Sequence, residues 1–438
     1  MFLHHLRINN SGHLEIGGCD TVKLAEQFGT PLFVYDEMQI RQNARRFLLA
    51  FQKSGCPHQV AYASKAFSCL AMAELAHEEN LSLDVVSGGE LYTALQSGFP
   101  ADRIHFHGNN KSEAELRMAL EADIGCFVVD NFFELEMLHD LAEAYRKNVK
   151  ILLRLTPGIE VHTHEYITTG QENSKFGFSV KHGQSLMAVK RALAKPFYEL
   201  LGVHVHIGSQ IFETEGFIQS IQMIRKHLDE IRAETGFEVK VLNVGGGFGI
   251  QYTDEDRPLP IENYVQAITE EVKKAWNERG LNIPEIWVEP GRSIVGNAGI
   301  TIYRVGAIKE IPGICKYVSI DGGMTDNIRP ALYQAKYHAV LANKADAALE
   351  ETVTIAGKCC ESGDLLIQDL CLPKVSSNDL LAIFSTGAYG YSMASNYNRL
   401  PRPAVVFVKN GTPRVVIERE TYDDLIRKDL RKKVYATS

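Results

Sequence analysis

The chain has 438 residues, a length that fits two domains better than one. Its 45% hydrophobic and 23% charged residues are typical of a globular protein with a large core, and no apolar run approaches the ~18 residues of a membrane span. The net charge of −8, without a basic stripe, argues against nucleic acid as a partner.

Eight short apolar runs between residues 59 and 291 each end in a polar or glycine-rich cluster. They are QVAYAS (59–64), LSLDVVS (81–87), RIHFHG (103–108), CFVVD (126–130), KILLRL (150–155), LGVHVHIG (201–208), VLNVGGG (241–247) and EIWVEPG (285–291). Amphipathic stretches separate most of them, and strand then helix repeated eight times predicts a (β/α)8 barrel. In such barrels the chemistry lies at the carboxyl ends of the strands.

The regions on either side of these runs predict a second domain. HLEIGG (13–18) and PLFVYD (31–36) resemble strands, and after Arg292 the pattern becomes strand-rich with short turns, including a tight turn at Asn410-Gly411. We expect an antiparallel β-barrel or sandwich that incorporates the N-terminal strands. The predicted organisation is 1–36 as N-terminal strands joining this domain, 37–291 as the barrel and 292–438 as the C-terminal β domain.

The eight cysteines are scattered without a CxxC pair, so neither a zinc ribbon nor a disulfide scaffold is indicated. The start, MFLHHLRINN, lacks the basic and apolar regions of a signal peptide. We therefore expect free thiols in a reducing cytoplasm.

Three predicted strand ends carry groups suited to a phosphorylated carbonyl compound. Lys65 follows the first run, and a partly desolvated amine there has a lowered pKa and can form a Schiff base with an aldehyde. Gly245, Gly246 and Gly247 end the seventh run, where backbone N–H groups can approach a phosphate. Glu289, in the eighth, would keep a pyridine nitrogen protonated. Alone, these motifs also fit a surface lysine, a turn and an Arg–Glu pair; together they predict a phosphorylated carbonyl cofactor.

The sixth and eighth runs supply further candidates. His204 and His206 alternate, so both face the same side of the strand. We interpret His206 as an imidazole stacked on a cofactor ring and Ser209 as a hydroxyl for phosphate or substrate. His204 is expected to be a core residue or to support a residue that contacts the cofactor. Gly291 could add a backbone N–H for the phosphate. Neither the two histidines nor HTHE (162–165) has a third ligand at a recognisable spacing, so no metal is expected.

The C-terminal part contributes a thiol, a guanidinium and phenols. Cys360 lies beside Glu361 in a polar, glycine-flanked turn, which favours proton transfer over inert packing. Arg329 and Tyr333 lie one helical turn apart, a pair suited to a carboxylate. Tyr389, in GAYGY, could cap a phosphate or belong to the core.

Together these motifs resemble the pyridoxal-phosphate-dependent decarboxylases of the alanine-racemase-like fold, in the family's order over residues 31–402. The resemblance implies pyridoxal 5′-phosphate as cofactor and a homodimer in which one subunit inserts a thiol into the partner's site. Lys65 is similar to the lysine that bonds the cofactor, and Cys360 to the inserted thiol, although Cys359 precedes it. The other matched positions are Asp84 and Glu90 as acids supporting the lysine, Arg154, Lys175-Phe176-Gly177, His206 as the stacking residue, and Ser209, Gly245, Gly246, Gly247, Glu289, Gly291 and Arg292 as phosphate and pyridine contacts.

Substrates in this family differ at the end remote from the reacting carbon. Ornithine, arginine and polyamine-type substrates end in a cation and need a distal acid, whereas diaminopimelate needs cations for a second carboxylate and one acid for its amine. The chain offers Arg292, Arg329 and Tyr333, with Tyr389 nearby, for the carboxylate, and Glu361 for the amine. Two arginines would repel a lone alkylammonium. We expect decarboxylation of meso-2,6-diaminopimelate to L-lysine and CO2, the last step of lysine biosynthesis.

Three alternatives remain open at this point. A related decarboxylase could act on ornithine, arginine or carboxynorspermidine. A non-catalytic carrier or pseudo-enzyme would typically lack the second domain, the lysine or the thiol. An amino-acid racemase would need acid–base groups on both faces of Cα, and the sequence offers no clear second group besides Lys65. Residues 162–177, long and polar after the fifth run, are predicted to form a lid.

Overall fold

The computed structural model describes residues 5–158 and 174–431, and these divide into two compact units. The first unit contains residues 38–158, 174–298 and 387–392, and the second contains 5–37, 299–386 and 393–431. No helix in the described part of the chain is long and apolar enough to cross a membrane.

The first unit is a closed barrel. The elements before it are β1 (Arg7–Ile8), β2 (Leu14–Ile16), β3 (Cys19–Asp20), α1 (Thr21–Phe28) and β4 (Leu32–Asp36). The barrel elements are α2 (Glu37–Ser54), β5 (His58–Ala63), α3 (Leu70–Glu78), β6 (Ser82–Val85), α4 (Gly88–Gln96), β7 (Ile104–Phe106), α5 (Glu113–Glu121), β8 (Cys126–Val129), α6 (Phe132–Tyr145), β9 (Val149–Thr156), β10 (Phe178–Ser179), α7 (Gln184–Leu193), β11 (Tyr198–His204), α8 (Glu215–Thr235), β12 (Val241–Asn243), α9 (Ile261–Asn277), β13 (Glu285–Val288) and α10 (Arg292–Val295).

Each of the eight predicted runs forms one barrel strand. The parallel order β5-β6-β7-β8-β9-β11-β12-β13 closes on itself through the pairing of β13 with β5. Strands such as β6 and β8 are buried along their whole length, as expected for a parallel sheet covered by helices. Because all eight strands run the same way, their carboxyl ends meet at one rim.

Polar caps begin several of the helices directly after that rim. The side chains of Ser87, Ser112 and Asn131 accept hydrogen bonds from backbone N–H groups in the first turns of α4, α5 and α6. A cap satisfies backbone donors that would otherwise lack a partner, so each helix begins at a defined residue. The short loops between strand and cap are therefore fixed in place.

The second unit is built around a mixed sheet. Its remaining elements are β14 (Gly299–Ile311), β15 (Cys315–Ile320), α11 (Arg329–Tyr333), β16 (Ala339–Leu341), β17 (Glu351–Ala356), β18 (Leu365–Leu372), β19 (Leu380–Ile383), β20 (Ala404–Lys409), β21 (Thr412–Ile417) and α12 (Tyr422–Ile426). The strand order is β18-β17-β15-β14-β4-β20-β21, and β19 pairs with both β14 and β16. Most pairs are antiparallel, but β15–β17 and β4–β20 are parallel.

The N-terminal strands belong to this second unit, as predicted. β4 pairs with β14 and β20, and Leu14 and Ile16 of β2 pack in the same apolar core as Val34 and Ile302. The predicted tight turn joins β20 to β21 at Asn410-Gly411, where both residues have positive φ (50° and 78°), as a two-residue hairpin turn requires. The predicted fold class, a (β/α)8 barrel with a second β domain, is confirmed. The second domain was expected to be antiparallel, and its sheet also contains two parallel pairs.

Candidate active site

A buried carboxylate, Glu289, lies at the centre of the barrel rim. Its Oε1 lies 2.9 Å from Nε2 of His107 and accepts a hydrogen bond of 2.5 Å from the amide of Asn243, and its Oε2 lies 3.2 Å from Nε2 of His204. Burial alone would raise the pKa of Glu289, but the charges and hydrogen bonds of His107 and His204 hold that pKa well below its usual value. The carboxylate therefore stays negative at neutral pH.

Lys65 and Asp84 form a second charged group at the rim. The Nζ of Lys65 lies 3.8 Å from Oδ2 of Asp84, and the lysine side chain is 41% exposed while the aspartate is buried. Burial would lower the pKa of Lys65, but Asp84, Tyr389 and Glu289 outweigh that effect and raise it. The expected lowering of the Lys65 pKa is therefore wrong for this structure, because acidic neighbours counter the desolvation of the amine.

The two acids expected to support Lys65 differ in their surroundings. Burial raises the pKa of Asp84, and neither of its carboxylate oxygens has a hydrogen-bond partner among the described residues. Burial also raises the pKa of Glu90, to about 7, and one of its oxygens accepts a hydrogen bond of 2.8 Å from the Val86 N–H. Asp84 thus reaches the amine, whereas Glu90 holds the backbone just beyond β6.

The glycine loop after β12 has no room for side chains. A Cβ on Gly246 would lie 2.2 Å from the carbonyl oxygen of Glu289, and one on Gly247, at φ 97°, would lie 2.3 Å from that of Gly208. The Gly246 N–H donates a hydrogen bond of 3.2 Å to Nδ1 of His206. Burial, with the nearby cations Lys65 and Arg154, lowers the pKa of His206 well below its usual value, so its ring is neutral.

Arg292 connects the other predicted phosphate residues. Its guanidinium donates hydrogen bonds to the hydroxyl of Tyr252 and, at 3.0 Å, to that of Ser209, and it lies 4.8 Å from the ring centre of Tyr389. The Tyr389 N–H donates a hydrogen bond of 2.8 Å to the carbonyl of Ala66, one residue beyond Lys65. Ser209, Arg292 and Tyr389 are thus brought together.

The matched positions around Arg154 also lie together. The Arg154 guanidinium lies 4.3 Å from the ring centre of Phe176, and its Nε lies 3.8 Å from Oδ2 of Asp130, whose other oxygen accepts a hydrogen bond of 3.0 Å from the Gly177 N–H. Residues 162–173 of the predicted lid lie outside the described residues.

The second unit holds the predicted substrate residues. Helix α11 places Arg329 and Tyr333 one turn apart, as expected, but the phenol that accepts a hydrogen bond from Arg329 is that of Tyr337, at 2.6 Å. Cys360 and Glu361 are exposed, whereas Cys359 is buried and its pKa is raised to about 11 by burial. Of the two adjacent thiols, Cys360 is the accessible one.

Sequence reasoning assigned no role to several residues that hold these groups in place. His107 and Asn243 contact Glu289 because the fold brings distant segments together, and Tyr252 likewise reaches Arg292. Tyr337 contacts Arg329 from eight residues further along the chain. His107, with His204 and Glu289, supplies the third metal-type ligand that spacing did not show, with the three ligand atoms within 4.8 Å of one another. Both histidines contact the Glu289 carboxylate. Their role in this arrangement is to hold the charged carboxylate in place.

The rim residues fit pyridoxal 5′-phosphate. This cofactor needs an amine for its aldehyde, a carboxylate for its pyridine nitrogen and a cradle for its phosphate. Lys65 and the negative Glu289 supply the first two. The cradle is the loop in which a Cβ at Gly246 or Gly247 would collide with backbone, and the buried Asp84 carboxylate without a hydrogen-bond partner adds a free acceptor beside the amine.

The fold and this site define a pyridoxal-phosphate-dependent enzyme built on a (β/α)8 barrel. Residues 37–296 match the family model described as pyridoxal-dependent decarboxylase, pyridoxal binding domain. A diaminopimelate decarboxylase of Bacillus subtilis is 61% identical over 431 residues, covering 98% of each chain. The chain belongs to the diaminopimelate decarboxylase family.

Solved structures agree with this assignment. Diaminopimelate decarboxylase of M. jannaschii in complex with L-lysine has a TM-score of 0.92 and 38% identity and covers 98% of both chains. A lysine/ornithine decarboxylase of Vibrio vulnificus in complex with putrescine has a TM-score of 0.75 and 25% identity, covering 89% of this chain and 97% of that chain.

Replacing Gly246 with alanine should weaken cofactor binding about tenfold or more, because the new Cβ would lie 2.2 Å from a backbone carbonyl and the loop would have to move. Bound cofactor per subunit, read from the visible absorbance at graded cofactor concentrations, measures this. The matched control is Gly89→Ala, whose Cβ would have an ordinary 3.7 Å contact. Equal affinity in the Gly246 and Gly89 variants would contradict the assignment of the cradle.

Proposed function

We propose that the protein decarboxylates meso-2,6-diaminopimelate to L-lysine and CO2 with pyridoxal 5′-phosphate. The observation that carries this proposal is the buried, negatively charged Glu289 at the same barrel rim as Lys65, in a chain of the diaminopimelate decarboxylase family. When bound, the cofactor supplies an electron sink for the bonding electrons left at Cα by the departing CO2.

The barrel residues would hold the cofactor and control its protonation. Lys65 supplies the amine for the aldehyde carbon, and the Glu289 carboxylate keeps a proton on the pyridine nitrogen. The neutral His206 ring would contact the cofactor without adding a charge that competes with this proton. The phosphate contacts would be Ser209, the glycine loop Gly245, Gly246 and Gly247, Gly291, Arg292 and Tyr389.

The residues of the second unit would select the substrate and protonate it. Arg329, oriented by Tyr337, and Tyr333 would suit the distal carboxylate. We assign the barrel residues Arg292 and Tyr389 to the same substrate. Glu361 suits the distal ammonium, and the adjacent Cys360 thiol would donate the proton to Cα.

We propose a homodimer in which Cys360, Glu361 and Arg329 serve the partner's barrel site, as the family resemblance implies. The accessibility of Cys360 beside the buried Cys359 supports this assignment of the thiol. We also propose a cytoplasmic location, which the eight free thiols support.

Decarboxylation of ornithine or arginine is the second candidate. The proposed placement of Arg329 with Arg292 argues against it, because two guanidinium groups would repel a substrate that ends in a lone cation.

The purified, cofactor-loaded protein should release CO2 from meso-diaminopimelate with an equal amount of L-lysine. Release from ornithine or arginine should be slower by at least about 10⁴-fold, since neither has the second carboxylate that the site is proposed to bind. Parallel assays of CO2 and product measure this. Faster release from ornithine than from diaminopimelate would overturn the role of Arg329.

Mixing two inactive variants should restore activity if the site is shared between subunits. Cys360→Ala alone should lower kcat by ~10²–10⁴-fold, the usual loss on removing a general acid, while still binding cofactor. Lys65→Ala should also be inactive. After subunit exchange at equal amounts, half of the dimers carry one intact site, so roughly a quarter of wild-type activity should return.

Cys371→Ala, which removes another exposed thiol of the second unit, is the matched control and should keep wild-type activity. A Cys360→Ala rate equal to wild type would exclude the thiol as proton donor. Absence of recovery on mixing, with heterodimers present, would exclude the shared site.

A further inference from the structure

The exposed thiol Cys360 lies in a turn, residues 357–364, that joins β17 to β18 and is here called the thiol turn. One end of this turn is tied by Asp364, whose two carboxylate oxygens accept hydrogen bonds from the N–H groups of Met324, at 2.6 Å, and Cys359, at 2.8 Å. The Lys358 N–H also donates a hydrogen bond of 2.9 Å to the carbonyl of Gly322. These contacts hold the buried side of the turn and end at Cys359.

Cys360 itself is held from a different segment. Its N–H donates a hydrogen bond of 2.8 Å to the side-chain Oδ1 of Asn398, which lies 38 residues further along the chain. This hydrogen bond lies on the exposed side of the turn and involves the backbone of Cys360 itself. Losing it would release the Cys360 N–H, while the contacts of Asp364 and the 2.8 Å hydrogen bond from the Glu361 N–H to the Cys359 carbonyl remain.

The backbone around Asn398 is held in an uncommon conformation. Asn398 has φ 52° and ψ 21°, and the next residue, Arg399, has φ 58°, so two consecutive residues with side chains are left-handed. Such positions are strained for residues other than glycine and persist where surrounding contacts enforce them, often at functional sites. Asparagine is among the few side chains that tolerate this conformation.

Contacts with the C-terminal part of the chain enforce this conformation. The Asn396 amide donates hydrogen bonds to the carbonyl of Leu400, at 3.0 Å, and to Glu420, at 2.6 Å. Arg399 donates to the carbonyl of Leu425, at 3.2 Å, and pairs with Asp429. The segment that presents the Asn398 oxygen to Cys360 is therefore braced by residues 420–429.

We infer that Asn398 is a positioning residue for the Cys360 thiol: by accepting the Cys360 N–H, it sets the place from which the thiol delivers its proton to Cα. This inference rests on the proposed role of Cys360. A proton donor must lie within hydrogen-bond reach of the reacting atom, and a displacement of about 1 Å can cost as much as 10²-fold in rate. The contact of Asn398 is with the Cys360 N–H, so it acts through the backbone of the turn.

Asn398→Gly tests this directly, since glycine adopts φ 52° without strain and only the acceptor is lost. In the full-length, cofactor-loaded enzyme, kcat should fall about tenfold with KM changed less than about twofold, because proton delivery is disturbed while substrate contacts remain. Asn398→Asp keeps an oxygen acceptor and should keep kcat within about threefold of wild type. The matched control is Asn378→Gly, another exposed asparagine at positive φ (73°), which should leave both constants unchanged.

Amide hydrogen exchange gives a readout independent of activity. In Asn398→Gly, peptides covering the thiol turn should take up one additional deuteron at early times, from the Cys360 amide, and the Cys359 amide should stay protected by Asp364. Wild-type kcat in Asn398→Gly with faster exchange at Cys360 would overturn the inference, and so would an Asn398→Asp variant as slow as Asn398→Gly. These outcomes are separable from failure of the proposed function, which would appear as an unchanged rate in Cys360→Ala.

Discussion

The negative charge of Glu289 inside the barrel is the constraint on which the rest of the site depends. A buried carboxylate is costly unless hydrogen bonds replace the water it has lost. Here His107, beyond β7, His204, at the end of β11, and Asn243, at the end of β12, contact its two oxygens. These segments meet only because eight parallel strands close into a ring. The negative charge of Glu289 therefore depends on closure of the barrel.

The other charges at the rim are arranged around this carboxylate. Lys65 and Arg154 are the nearby cations, and Asp84 faces the lysine amine. Burial, together with these cations, lowers the pKa of His206 well below its usual value, so the ring proposed to lie against the cofactor is neutral. Burial lowers the pKa of His204 to about 4, although its contact with Glu289 opposes this effect. The rim thus concentrates negative charge at Glu289 and positive charge at Lys65, the distribution that a cofactor with a basic ring nitrogen and an electrophilic aldehyde requires.

The sequence predicts the parts of the structure that depend on local pattern. The apolar runs and the turn residues between them predict the eight barrel strands, the incorporation of PLFVYD into the second unit and the turn at Asn410-Gly411. They do not give contacts between distant segments. Tyr337, not the helical neighbour Tyr333, accepts the hydrogen bond of Arg329, and the approach of His107 to Glu289 joins residues far apart in the chain. The sequence names Asp84, Glu289 and Tyr389, but only the fold sets how closely they approach the Lys65 amine, and that approach raises its pKa.

The protonation state of the cofactor's pyridine nitrogen tests the central role of Glu289 most directly. It can be read from the ¹⁵N chemical shift of labelled pyridoxal phosphate bound to the wild-type protein and to Glu289→Gln. A negative Glu289 predicts a protonated nitrogen at neutral pH in the wild type and an unprotonated one in the variant. An unprotonated nitrogen in the wild type, or a protonated one in both proteins, would contradict the account.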